Sequence, residues 1–142
     1  MNDVILDPVR ELEAAIRAMP EQMSQQQLAE LTAHHFCRGL YLRELFIPAG
    51  TAIVGKTHKE QNFFLLLSGE LVLATPDGPL TVCAPYMAIT QPGTKRAVYA
   101  LTDCVCINVH PNPDDEQDVQ MLEDRYITPE ALPTPDNMER LT

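Results

Sequence analysis

From position 40 to position 110 the chain is built of short β-rich runs separated by turn signals at close intervals. The runs cover 40–47, 51–57, 62–67, 70–75, 80–83, 87–90, 96–100 and 104–110. Between them lie Pro48-Ala49-Gly50, Ser68-Gly69, Pro76-Asp77-Gly78-Pro79, Gln91-Pro92-Gly93 and Thr102-Asp103. Eight short strands at this spacing predict an all-β sandwich or barrel. No internal repeat or low-complexity tract interrupts them.

The flanks change period. Val9, Leu12, Ile16 and Met19 recur at helical spacing over 7–19, with Asp7 as cap and Pro8 in the first turn. Pro20 ends that segment. A second helix is predicted from Ser24, with Gln27 completing a capping box and Met23 and Leu28 stapled across its start. Leu28 and Leu31 give it an apolar stripe, and it should stop before Gly39. Beyond the strands, Asn112 and Pro113 predict a third helix over 113–125, with Asp114, Asp115 and Glu116 where the helix dipole favours negative charge. Val119, Leu122 and Tyr126 form its stripe. The tail, with Pro129, Pro133 and Pro135, is expected to be extended or mobile. The division is therefore a helical extension (1–35), a β-barrel (36–110) and a helix with tail (111–142), all in one domain.

Composition narrows the function classes. At 142 residues, 45% hydrophobic and 21% charged, the chain can bury a sizeable core. Its net charge of −10 is unevenly spread. Residues 36–110 hold six basic and five acidic residues, a balance of +1, and all the excess acid lies in the two ends. An acidic chain is a poor fit to nucleic acid, which needs a basic face; a small anion in a local basic pocket is still compatible. The longest apolar run, 63–67, is far too short to span a bilayer, and no basic region with an apolar stretch marks the N-terminus. A cytoplasmic protein without membrane association is expected. Of four cysteines, Cys37, Cys83, Cys104 and Cys106, none forms a Cys-x-x-Cys pair. Cys104 and Cys106 should share one strand face as small buried residues, and no disulfide framework is expected.

One pair of motifs carries a resemblance. Pro48-Ala49-Gly50, a strand to His58, then Ser68-Gly69-Glu70, with Gln91-Pro92-Gly93-Thr94-Lys95-Arg96 further on, resembles the two motifs of the cupin superfamily. In that family three histidines and a glutamate bind one divalent metal inside a jelly-roll barrel. Laid from Gly50 without a gap, the family pattern puts its first two histidine positions at Lys56 and His58, its glutamate at Asn62 and its closing glycine at Gly69. The third histidine position falls on Arg96, and the closing asparagine on Ala100. The scaffold glycines Gly50, Gly69 and Gly93 persist, while one of four ligand positions keeps a ligand-type residue. Over about 34–126 the chain is most similar to small cupin-like proteins of bacteriophages and prophages. Tyr41-Leu42-Arg43-Glu44, Gly55-Lys56-Thr57-His58-Lys59 and His110-Pro111-Asn112-Pro113-Asp114 carry that likeness.

The expected fold is thus an all-β, jelly-roll-type cupin barrel with two short N-terminal helices and one C-terminal helix. The expected site is Lys56, His58, Glu60, Asn62 and Arg96, since 56, 58, 60 and 62 would share a face of one strand and Arg96 would reach the same cavity. A divalent site needs three or four neutral-imidazole, thiolate or carboxylate ligands, and two cations oppose it. His58, Glu60 and Asn62, joined by His110 if its strand runs alongside, could rebuild only a weak one. No metal, cofactor or catalytic residue is expected. The preferred reading is a binding protein for a small anionic metabolite or nucleotide, assembled as a homo-oligomer, most simply a dimer. The alternatives are a metal-dependent cupin enzyme of isomerase or dioxygenase type, a structural or interaction module, or plain internal ion pairs of Lys56 and Arg96 with Glu60 or Glu44.

Overall fold

The computed structural model describes residues 25–75 and 77–128. A single helical turn and a half, α1 (Gln25–Glu30), leads into β1 (Thr32–Cys37), β2 (Gly39–Ile47), β3 (Ala52–His58), β4 (Asn62–Ser68) and β5 (Glu70–Thr75). Then follow β6 (Gly78–Cys83), β7 (Tyr86–Thr90), β8 (Lys95–Ala100), β9 (Cys104–Asn112), helix α2 (Val119–Tyr126) and the short β10 (Ile127–Thr128). The strands form two antiparallel five-stranded sheets, ordered β1-β2-β9-β4-β7 and β10-β3-β8-β5-β6. Without the outer additions β1 and β10, each sheet has four strands in the order of a double-sheet jelly roll.

The eight runs read from the sequence are β2 to β9. They form because each alternates one apolar side, and the two apolar sides face each other. Ile47, Phe64, Leu66, Cys104 and Cys106 from the first sheet meet Ile53, Leu71, Leu73, Val82, Val98 and Ala100 from the second. Cys104 and Cys106 are free thiols in that core, while Cys37 and Cys83 are exposed. Between β4 and β5 the chain turns at Gly69, whose φ of +94° excludes most other residues. A Cβ there would also lie 2.6 Å from the Cys104 sulfur and 2.9 Å from its Cα, so the turn is packed against β9 by the absence of a side chain.

Three expectations are corrected. The sheets do not join into a closed barrel; they stack as a sandwich with separate edges at β1, β7, β10 and β6. The second helix covers only Gln25–Glu30, and residues 32–37 are strand, not helix. Thr32 donates its hydroxyl to the Leu28 carbonyl at 2.7 Å, ending the helix, and Gly39 at φ +77° makes the hairpin that pairs β1 with β2. Pairing along a sheet edge outweighs the weak local helical signal. Asn112, expected as the cap of the third helix, is the last residue of β9. Its buried amide bonds both the N–H and the carbonyl of Glu116, folding a turn, and α2 starts six residues later on Asp118, which accepts from the Gln120 and Met121 N–H groups. The expected helix over 7–19 and the capping residues Met23 and Ser24 lie outside the described residues. No helix among the described residues is long and apolar enough to cross a membrane.

Candidate functional site

The two sheets enclose a polar layer at one end of the apolar core. On the first sheet the register places Tyr41 opposite His110, Arg43 opposite both His34 and Asn108, and Thr90 opposite Asn62. Asn108 lies opposite Phe64, where the apolar core begins. The second sheet supplies His58 and Arg96. The rings of His58 and His110 stack with centroids 6.0 Å apart. The Arg96 guanidinium lies over the Phe64 ring at 4.8 Å and donates from Nη2 to the Thr90 hydroxyl at 2.9 Å.

Helix α2 closes the end of this layer. Leu122 and Tyr126 pack with Tyr41, Ile127 and Phe36 in a second, smaller apolar cluster. The Tyr126 ring stacks on His110 at 4.7 Å, and its hydroxyl donates to the Pro111 carbonyl. Glu123 pairs with Arg43 at 3.5 Å. The loop after β3 grips the helix end: the Lys59 N–H donates to the Tyr126 carbonyl and its ammonium to the Asp124 carbonyl.

The polar layer is rich in donors and poor in acceptors. Asn62 joins most of it, donating to His58 Nδ1 and to the Glu60 carbonyl at 3.2 Å each, and accepting from Asn108 at 3.0 Å. Among the described residues four buried nitrogens have no partner: Arg43 Nη1, Arg96 Nε, and both ring nitrogens of His110, a residue with 0% exposure. A neutral imidazole always carries one N–H, so His110 brings an unmet donor in either tautomer. Burial pushes the His58 pKa down to about 4 and that of His110 to about 3; Arg96 and Arg43 push His58 further down, and His58 and Arg43 act on His110. Both rings are therefore neutral at pH 7. Burial also lowers the Arg96 pKa, and no carboxylate pairs with its guanidinium among the described residues. Arg96 is half-buried, with its Nε shielded from solvent, and a desolvated guanidinium nitrogen without an acceptor is costly unless something else satisfies it.

The five residues expected from sequence separate here. His58, Asn62 and Arg96 are brought together in the polar layer. Lys56 lies half-buried in a β-bulge, where two residues of β3, Gly55 and Lys56, face one of β8 between the pairs Val54–Ala97 and Thr57–Lys95. Glu60 is not on the shared strand face: β3 ends at His58, and Glu60 is exposed in the connection to β4. Strict alternation from 56 to 62 fails for two reasons: the bulge breaks the period between Lys56 and His58, and the strand stops at His58, before Glu60. The neutralising ion pairs with Glu60 or Glu44 are also absent for Lys56 and Arg96 among the described residues; Glu44 instead meets His35 at 3.6 Å. From sequence His110 is only a conditional ligand; Tyr41 and Arg43 enter only through the motif likeness, Tyr126 only through the helix stripe, and Thr90 and Asn108 carry no site signal of their own. The alternation that places Cys104 and Cys106 inward runs on to Asn108 and His110, and was the signal for both.

The donor set does not fit the family's metal. Of its four ligand positions, His58 alone offers an imidazole, and Asn62 already donates to the Nδ1 of that ring. Among the described residues no group of three or more His, Cys, Asp or Glu side chains is placed to hold a metal ion. Arg96 lies close enough to His58 to depress its pKa, so a divalent cation there would face a fixed positive charge.

Comparison with known proteins bears on the fold. A protein of Klebsiella pneumoniae described as an uncharacterized conserved protein with a double-stranded β-helix domain superposes with a TM-score of 0.50, at 13% identity, over 81% of this chain and 95% of its own. The chain has a double-stranded β-helix fold. A cupin-2 domain protein of Shewanella frigidimarina matches with a TM-score of 0.47 and 13% identity over 70% of this chain and 91% of that one. A cupin domain of Bordetella pertussis matches at 0.46 and 17%, over 57% and 91%. At 13% identity the likeness to the Klebsiella protein is one of fold. No family model and no curated protein matches the sequence.

Proposed function

We propose that the protein is a cupin-like binding protein that takes a small anionic molecule between its sheets, held by Arg96 with His58, Asn62 and His110, without a bound metal. One observation carries this reading: among the described residues, the polar layer holds the Arg96 guanidinium with no carboxylate partner and four buried nitrogen atoms with no hydrogen-bond partner. Protein interiors rarely leave such groups unmet, and a carboxylate, phosphate or sulfate oxygen is the acceptor that meets them best. Arg96 supplies the fixed charge, with Phe64 behind it setting its plane. The neutral imidazoles supply N–H donors without adding charge. Asn62 holds His58 with Nδ1 as acceptor, which leaves Nε2–H as its donor. Lys56, half-buried beside this strand end, can add a second charge. The sequence likeness to phage and prophage proteins suggests a host metabolite or nucleotide as the bound class.

The test is titration of inorganic phosphate, nucleoside monophosphates and dicarboxylates into the full-length protein, followed by calorimetry and thermal shift, repeated on Arg96→Met. A charge-assisted hydrogen bond is worth about 1.5–3 kcal/mol, so the variant should bind about ten- to a hundred-fold more weakly. An Arg96→Met protein that binds the same anions as tightly as wild type ends the proposal. So does a wild type that none of these anions stabilises.

A further inference from the structure

The first sheet opens between two of its central strands. Strands β4 and β9 pair from Ser68–Val105 to Phe63–Val109, and there the ladder ends. One residue further on, Asn62 stays with Thr90 of β7, while His110 stays with Tyr41 of β2. Pro111 follows on β9 and has no N–H with which to carry the pairing on. The split lies at the floor of a groove of about 270 Å³ on the outer side of the sheet. The walls of the groove are apolar: Leu40, Phe63, Ile89, Val109 and Pro111. Its most buried lining residues are Asn62 and His110, 5% and 0% exposed, which also stand in the polar layer. Gln61 marks the rim and donates from Nε2 to Oε1 of Gln91 at 3.2 Å.

We propose that the site takes an amphipathic monocarboxylate, its acid group between the sheets at Arg96 and the His58–His110 pair, and its apolar tail passing the split to lie in this groove. This rests on the anion-binding reading above and narrows its ligand class. Three observations carry it. The first is position. Groove and polar layer share Asn62 and His110, so one molecule can touch both. Helix α2 covers the end of the layer, with Tyr126 stacked on His110 at 4.7 Å, and the split is a route from solvent that leaves the helix in place. The second is chemistry. Among the described residues both ring nitrogens of the fully buried His110 lack partners, and one of them must donate. A carboxylate oxygen meets that donor, and a wholly apolar molecule does not. Leu40, Phe63 and Ile89 are 40%, 45% and 52% exposed, so an apolar tail removes their surface from water. The sugar of a nucleotide would set hydroxyls against these walls without hydrogen bonds. The third is size. A dry apolar cavity of about 150 Å³ holds a benzene molecule. The groove therefore fits one aromatic ring, or a branched alkyl group of similar bulk, with a short link to the acid.

The test is calorimetric titration of 3-phenylpropanoate, propanoate and the uncharged 3-phenylpropanol into the full-length protein, with inorganic phosphate alongside. Wild type should bind 3-phenylpropanoate about a hundred-fold more tightly than propanoate, the effect of burying one ring. Arg96→Met should weaken both acids and leave the alcohol as it was. In Leu40→Ser with Ile89→Ser the advantage of the phenyl acid should shrink to below about ten-fold. Both positions are exposed, circular dichroism reports folding, and Ile89→Gln alone gives a smaller loss in the same direction if the pair fails to fold. Thr81→Ala, exposed on the other sheet, should change nothing. Equal affinity for the two acids overturns the inference; phosphate binding that depends on Arg96 would leave the broader reading standing. An advantage unchanged in the groove variants overturns it by placing the tail elsewhere. So does an alcohol that binds as tightly as the acid, which would separate the groove from the polar layer. A wild type that binds neither acid overturns it as well, and the phosphate titration then decides the broader reading by itself.

Discussion

The Asn62 side chain donates to Nδ1 of His58 at 3.2 Å across the connection between β3 and β4. This bond ties the two sheets together at the polar end of the sandwich and fixes which nitrogen of His58 carries its proton. An amide at this position both donates to the imidazole and accepts from Asn108. Replacing Asn62 by Leu removes both bonds and leaves Asn108 without its acceptor. The expected loss is about 1–3 kcal/mol of stability, read from urea unfolding. In NMR titration the His58 pKa should rise from about 4, because Nδ1 loses its donor and can accept a proton. A His58 titration unchanged in the variant would show that this bond does not set the ring's state.

Acid should destabilise the fold before its carboxylates titrate. His58 and His110 have folded pKa values lowered to about 4 and about 3 from 6.5 in the unfolded chain. Between those values the unfolded chain binds more protons, so stability rises with pH. The contribution is complete above pH 6.5 and is lost as pH falls through 6 and 5. At pH 5 the loss is about 2 kcal/mol for each imidazole. Asp114, held low by Arg125, contributes only below this window. Urea midpoints at pH 7.5 and pH 5.0 check this, and His110→Phe, which keeps the stacked ring, should remove about one histidine's share of the slope. Equal midpoints at the two pH values would contradict the burial of both rings as neutral groups.

Arg96 should be a cost to the ligand-free fold. It is half-buried, and among the described residues its partners are a hydroxyl and an aromatic ring, not an acid. Replacing such a charge with an apolar side chain of similar length is often neutral or stabilising, by about 1–4 kcal/mol. Because Thr90 would lose its donor, the useful variant is Arg96→Met with Thr90→Val. The expected result is a higher melting temperature in anion-free buffer, and no further rise on adding anion. A marked fall in melting temperature would make Arg96 a structural element and not a binding group.

Gly69 should tolerate no side chain. Its φ of +94° and the approach of the Cys104 sulfur act together. Gly69→Ala is expected to cost at least ~2 kcal/mol, more than the 1 kcal/mol or so of an ordinary turn glycine. The same substitution at Gly50, where nothing lies within 4 Å of the added carbon, is the control for backbone strain alone. Chemical denaturation of the two variants side by side separates strain from collision.

What could be read from the chain itself was whatever depends on local alternation. The eight runs between 40 and 110 became eight strands, because a strand needs only one apolar side and a turn at each end, and both are local features. The positive-φ glycines followed the motif, and His58, Asn62 and Arg96 fell on its spacing. What the tertiary structure decided was everything set by pairing between distant segments. Residues 32–37 became a strand because β2 offered an edge, and α2 starts at Asp118 because β9 runs on through Asn112. Lys56 left the shared face because a bulge between Val54 and Thr57 shifted the period, and Glu60 because the strand stops at His58; the bulge follows from the register with β8. His110 entered because β9 lies between β2 and β4, a neighbour relation fixed by the order of strands in the sheet. Alternation tells which side of a strand is buried; only the packing of one sheet on another tells what each buried group will meet.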